Sequence, residues 1–207
     1  MQNTIQNTHA LHLFDKTIYC IRHGIARHNI LYPMIKEKAY RGEENIDTKL
    51  TDKGKKQAEK LKEIWHERNE IELVITSPLS RTLETASILF KDTKVPILAQ
   101  ELLREYPLGL DTPNKRHNRM QLIDCYPEID FSYILSNKDT LWKEHEPELP
   151  ENLKKRVQQT KEWLFLRPEK TIALVGHSTF LHQFLYNAFD NRETNELQHC
   201  HPYIYQM

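Results

Sequence analysis

Hydrophobic and polar positions along the chain alternate between two rhythms. Short apolar runs rich in β-branched residues read as strands at Thr17–Arg22, Ile71–Thr76, Val95–Leu98 and Thr171–Gly176, and Leu197–Tyr205 reads as a final edge strand. The proline in Val95-Pro96-Ile97-Leu98 suggests a sheet edge or a strand start. Between the runs the apolar spacing becomes helical. A helix is predicted from near Asp52, with Ala58, Leu61, Ile64, Trp65 and Arg68 on one stripe. A second is predicted with Ser77 as cap and Pro78 in its first turn, packing through Leu79, Leu83, Ala86 and Phe90. Glu151–Leu166 reads as a third, packing through Leu153, Val157 and Leu164. Phe180, Leu181, Phe184, Leu185 and Ala188 mark a fourth.

Residues 1–16 are polar and aperiodic and read as a loose lead-in, and residues 30–50 read as a loop. From Glu105 to Pro150 the chain is irregular and rich in charge, proline and aromatic residues, as expected of a lid or specificity wall. Strands alternating with helices predict an α/β fold: a three-layer sandwich with a mostly parallel central sheet flanked by helices and an irregular insertion near 105–150. We expect one domain over residues 1–207.

Composition narrows the function classes. Lys+Arg and Asp+Glu balance at 29 each, so no bulk positive field favours nucleic acid. The lysines around the first helical stripe (Lys53, Lys55, Lys56, Lys60, Lys62) read as a solvated face. Cys20, Cys125 and Cys200 are odd in number and widely spaced, which suggests free buried thiols in a reducing compartment. No secretory signal or long apolar run is visible, and the expectation is a soluble cytoplasmic protein without a membrane partner.

Candidate chemistry sits where strands end. The first run ends in Arg22-His23-Gly24 and the fourth in Gly176-His177-Ser178; the second leads through Ser77-Pro78 to Arg81. Ligands in open α/β sheets collect beyond the carboxyl ends of strands. If these strands are neighbours, His23, Arg22, Arg81 and His177 converge around an anion. Gly24 would let backbone approach that ligand. Asn29 either donates to the same anion or caps a helix or turn, and spacing leaves both open. Arg81 near a helix N-terminus is electrostatically unfavourable unless an anion lies in front of it. Lys115, Arg116 and Arg104 offer cations for a second acidic group on a substrate. His199-Cys200-His201 has a spacing that could face a metal from a strand, but the reading is surface residues, and no metal or other cofactor is expected.

Two histidines, two arginines, an asparagine and a carboxyl suit phosphoryl transfer through a phosphohistidine. His23 must be neutral to attack phosphorus, and nearby cations push its pKa down. Arg22, Arg81 and His177 would hold non-bridging oxygens, each donor contributing roughly 3 kcal/mol in the transition state. A protonated carboxyl must supply the leaving oxygen's proton. Glu105 is the choice, and spacing alone equally allows Glu101.

These residues resemble the histidine phosphatase superfamily, also called phosphoglycerate-mutase-like, from about Thr17 to the end of the chain. Arg22-His23-Gly24 followed by Asn29 is similar to RHGxxxxN, and Asp47-Thr48-Lys49-Leu50-Thr51 through Gln57-Ala58 to DxxLTxxGxxQA. Ser77-Pro78-Leu79-Ser80-Arg81-Thr82 through Thr85-Ala86 resembles SPLxRTxxTA, Leu103-Arg104-Glu105 resembles LxE, and Val175-Gly176-His177 resembles the segment of the second histidine. The resemblance implies that His23 is the phosphorylated nucleophile and Glu105 the acid/base. Arg22, Asn29, Arg81 and His177 would form the phosphate pocket, with Ser178 in place of a usual glycine. It departs from the mutases: Ile25-Ala26 stand where these usually carry Glu-Ser, and little chain follows His177. The expected activity is hydrolysis of a small phosphomonoester. A phosphoglycerate-type mutase and a phospho-ligand binding protein without turnover are the alternatives.

Overall fold

The computed structural model describes residues 16–191 and 194–207. Among these residues five strands form one sheet: β1 (Thr17–Arg22), β2 (Leu73–Thr76), β3 (Ile97–Ala99), β4 (Thr171–Gly176) and β5 (Pro202–Gln206). Their order is β3-β2-β4-β1-β5; β5 alone runs antiparallel. The helices are α1 (Arg27–Ile35), α2 (Asp52–Ile64), α3 (Ser80–Phe90), α4 (Arg119–Cys125), α5 (Pro150–Phe165) and α6 (Ser178–Tyr186).

The strand period of two sorts the core into two layers. Tyr19, Ile21, Val74, Ala173 and Val175 face α2 and α3, where Leu61, Leu83, Ala86 and Phe90 meet them. Ile18, Cys20, Ile75, Ile172 and Leu174 face α5 and α6, against Leu153, Val157, Phe180, Leu181 and Phe184. This is the expected α/β sandwich with a mostly parallel sheet. The register aligns the strand ends: Arg22 pairs with Gly176, and Thr76 with Val175. The residues that follow β1, β2 and β4 therefore leave the sheet side by side.

Several boundaries differ from the sequence expectation. Residues 30–50 are not a simple loop, because α1 occupies 27–35 and short 3-10 turns follow at Lys36–Tyr40 and Glu43–Asn45. Helix α1 buries only His28 and contains Pro33, so it lacks the apolar stripe that announces a helix. Helix α3 starts at Ser80, later than Ser77 implied. Its N-terminus is capped by the distant Asp47 carboxylate, which accepts from Ser80 N at 2.7 Å and Ser80 Oγ at 3.0 Å. Helix α2 begins as expected, with Thr51 Oγ1 accepting from Gly54 N at 3.1 Å, but Ile64 is exposed and off the stripe. Ala188 lies beyond the end of α6 and is exposed. The last strand starts only at Pro202, after Cys200 has taken a left-handed backbone conformation (φ 49°).

The lead-in lies outside the described residues except for Lys16, which is not loose. It is buried; its backbone pairs with Met207 and its ammonium donates to the carbonyls of Arg167 and Glu169. All three cysteines are free, but of the expected buried thiols only Cys20 is buried; Cys200 is half-buried and Cys125 exposed. Among the described residues no helix is long and apolar enough to cross a membrane.

Candidate active site

The exits of β1 and β4 bring the two strand-end histidines together: the His23 and His177 ring centroids are 5.2 Å apart. His23 Nδ1 lies 2.7 Å from the Gly24 carbonyl, so it carries the proton and donates. Nε2 is then the lone-pair end, and it accepts from Arg81 Nε at 3.2 Å. Burial pushes the His23 pKa well below 6.5, with the positive Arg81 as the next cause. The sequence had the direction right, but it assigned to cations an effect that desolvation dominates.

Gly24 is held against a second glycine. A Cβ there would come within 2.4 Å of the Gly54 carbonyl oxygen, so the residue lets the first turn of α2 close on the β1 exit. Its N–H donates to Thr85 Oγ1, which in turn donates to the Arg81 carbonyl. Helix α3 is thus tied to the backbone beside His23.

Arg81 is fully buried and aimed by its other donors: Nη1 at the Pro113 carbonyl (2.6 Å) and Nη2 at Asn114 Oδ1 (2.9 Å). Burial lowers its pKa to about 10, with Glu105 and Asp47 opposing, so it stays protonated at neutral pH. Arg22 donates through Nη1 to the Leu197 carbonyl (2.7 Å) and through Nη2 to Glu196 (2.8 Å). Its buried Nε has no partner among the described residues, nor does either ring nitrogen of His177. Burial, then Arg81, holds the His177 pKa well below 6.5, so the ring is neutral and keeps one donor. Unsatisfied buried donors are costly, and these fit an oxyanion.

Asn29 and Ser178 line the same pocket. Asn29 Oδ1 accepts from Ala26 N at 2.9 Å, the capping role, which leaves its amide N–H groups for any ligand. Ser178 opens α6, and its Oγ accepts from Leu197 N at 3.3 Å. Glu105 reaches the pocket and Glu101 does not: Glu101 pairs with Arg104 and Arg116. Glu105 Oε1 accepts from Tyr106 N (2.8 Å) and from Phe180 N in the first turn of α6 (3.3 Å). Burial, reinforced by Asp190, raises its pKa to about 7.

The cations suggested for a second acidic group are elsewhere. Arg104 is fully buried against Asp139 (2.6 Å), and Arg116 pairs with Glu101 (2.7 Å) and donates to the carbonyls of Ser136, Asn137 and Lys138. They hold the 105–150 insertion together. Lys115 sits over the Trp142 ring. Conversely, the reading of residue types missed three supports. Asp47 caps the helix that carries Arg81 and also accepts from His117 N, and only its place in the DxxLT segment hinted at it. His28, 6.2 Å from the His23 ring, is within 2.5 Å of Thr48 Oγ1. His199 is not a bystander on the surface: its Nδ1 is 2.6 Å from the His23 carbonyl, and burial lowers its pKa to about 3. Among the described residues no group of three or more His, Cys, Asp or Glu is arranged to hold a metal ion.

Comparison with known proteins gives the family. The family model of the histidine phosphatase superfamily (branch 1) matches residues 18–203. Phosphoglycerate mutase-like protein 1 of Arabidopsis thaliana is 34% identical over 218 residues, covering 90% of this chain and 74% of the relative. A Schizosaccharomyces pombe protein named "Probable phosphatase" is 30% identical over 178 residues, covering 82% and 77%. Among solved structures, alpha-ribazole phosphatase from Shigella flexneri superposes with a TM-score of 0.55 at 23% identity, covering 80% and 75%, and shares the fold. With the two histidines, two arginines and glutamate gathered at the strand exits, this chain belongs to the histidine phosphatase superfamily, branch 1.

Proposed function

We propose that the protein hydrolyses phosphomonoesters through a phosphohistidine on His23, with Glu105 as proton donor. The observation that carries this reading is a neutral histidine, its Nε2 lone pair turned to a positive pocket, beside a carboxyl that titrates at about 7. The Nε2 lone pair attacks phosphorus while the ester P–O bond breaks. Glu105 passes its proton to the departing alcohol oxygen. The Nδ1–H on the Gly24 carbonyl stabilises the charge that develops on the ring. Arg22, Arg81, His177 and Asn29 hold the non-bridging oxygens, and the Arg81 N–H now on Nε2 moves to phosphoryl oxygen. In the second half Glu105, now a carboxylate, takes a proton from water. That water's oxygen displaces Nε2 and releases inorganic phosphate.

A mutase needs to retain a second anionic group of its substrate. Arg104 and Arg116 are committed to buried ion pairs, whereas Glu196 and Asp190 line the pocket. This favours the hydrolase over the mutase suggested by some relatives' names. A panel of phosphomonoesters, run beside His23→Ala, tests the proposal. Expected are stoichiometric inorganic phosphate, an acid-labile phosphoprotein on rapid quenching, and neither with His23→Ala. Isomerised 3-phosphoglycerate without free phosphate would select the mutase. Tight ester binding without turnover of any ester would select a binding protein.

A further inference from the structure

A wider groove opens beside the catalytic pocket; the two share Arg22, Asn29, Tyr40 and Glu196 as walls. The catalytic end offers a volume of only about 30 Å³, the groove about 560 Å³. The groove therefore has the size of an ordinary small-molecule site, roughly 300–1,000 Å³, while the catalytic end leaves room for little beyond the reacting group. The organic part of a substrate finds room in the groove.

The two ends differ chemically. Ile25 follows the β1 exit, and α1 sends Ile30, Tyr32 and Pro33 to the groove wall. Tyr32 and Tyr40 meet edge to face with centroids 5.6 Å apart. Ile30 is 49% exposed, and α1 buries only His28, so these apolar groups are not there to build the core. The groove's lining residues bring one guanidinium and no ammonium, and the Lys36 ammonium beside them stands over the Tyr32 ring, 5.7 Å from its centroid. Arg22, the groove's guanidinium, is already paired with Glu196, whose side chain is 31% exposed on the rim. His199 in the groove wall is neutral at physiological pH.

We infer that this groove receives the alcohol part of the substrate, and that this part carries an uncharged flat apolar or aromatic group rather than a carboxylate or second phosphate. The inference rests on the phosphomonoesterase reading above. Apolar contact with Ile25, Ile30 and the Tyr32 ring favours such a group, and Glu196 repels an anionic one.

Benzyl, ethyl and 2-carboxyethyl phosphate test it, since all three are primary-alcohol esters that make a similar demand on Glu105. Expected is a kcat/KM for benzyl phosphate about tenfold above that for ethyl phosphate, the scale of one well-placed apolar group in a specificity pocket. The carboxyethyl ester should fall below both. Tyr32→Ala should lower kcat/KM for benzyl phosphate about tenfold more than for ethyl phosphate. Ile30→Ser, at an exposed position, should reduce the advantage without touching the tyrosine pair. Equal rates for benzyl and ethyl esters, a preference for the carboxyethyl ester, or variants that slow both esters alike would overturn the assignment. Binding of benzylphosphonate and ethylphosphonate separates this claim from the catalytic one. If no ester turned over but benzylphosphonate still bound about tenfold tighter through Tyr32, the groove assignment would stand and the hydrolase reading would fall. No benzyl advantage in binding would sink the groove assignment whether or not esters turn over.

Discussion

Glu105→Gln removes the proposed proton donor while keeping its size and its oxygen acceptor for Tyr106 N and Phe180 N. Two consequences follow from the same buried carboxyl. The first is kinetic. With Glu105 titrating at about 7, kcat/KM for an alkyl phosphate should fall as pH rises through 7, because the donor has lost its proton. No falling limb is expected from His23 or His177, which are neutral already because their pKa values lie well below 6.5. In Glu105→Gln the alkyl ester should react about 10²–10⁴-fold more slowly. p-Nitrophenyl phosphate, whose leaving group departs without a proton, should lose far less. The second consequence is stability. The folded pKa lies above the ordinary 4.5, so the contribution to stability is full below 4.5 and is lost as pH rises through about 7. At about 1.4 kcal/mol per pH unit the loss amounts to ~3 kcal/mol as an order of magnitude. The variant should therefore gain on the wild type between pH 4 and pH 8 in urea melts. Unchanged alkyl phosphatase activity in Glu105→Gln, or a wild-type kcat/KM for alkyl esters flat from pH 6 to 8.5, would refute the assignment.

Further outcomes are expected elsewhere. Asp47→Ala should destabilise the protein by about 1–2 kcal/mol in thermal melts, the scale of a lost helix cap, and lower kcat because α3 carries Arg81. Arg104→Met should cost about 3–5 kcal/mol, since it leaves Asp139, 3% exposed, without its buried partner; a variant as stable as wild type would contradict a structural role. Gly24→Ala should lower the melting temperature, because the new Cβ falls 2.4 Å from the Gly54 carbonyl oxygen, and Gly54→Ala should do the same from the other side. Leu83→Ala opens a cavity at a fully buried position between α3 and the sheet and should cost about 2–5 kcal/mol, measured by chemical denaturation.

Strong local rhythm was legible. The four parallel strands, α2 and α5 follow from apolar spacing and turn chemistry, because each buries one repeating face. Helix α1 was invisible because almost none of it is buried, and the start of α3 was misplaced because its cap is Asp47, 33 residues upstream. Spacing left Arg81 either facing an anion or exposed; it is buried, and Asp47 supplies a negative group to that helix end.

The candidate site divides in the same way. Residue type and position at strand ends single out His23, Arg22, Arg81 and His177, since such groups beside glycine at an exit have few other uses. Spacing left Glu105 and Glu101 level and only the resemblance of Leu103-Arg104-Glu105 to LxE separated them, while the supports at Asp47 and His199 and the structural fate of Arg104 and Arg116 were not readable. Each depends on which buried opposite charge or carbonyl lies nearby, and those partners come from distant segments. By itself the chain determined the layers and the histidines and arginines that gather at the strand exits, because periodicity and side-chain chemistry are local. Only the tertiary structure decided which carboxyl turns inward, which arginines face the pocket and what the groove beside it is made of. Burial and pairing are properties of the packed molecule, and they set the charge state and reach of every titratable group in the site.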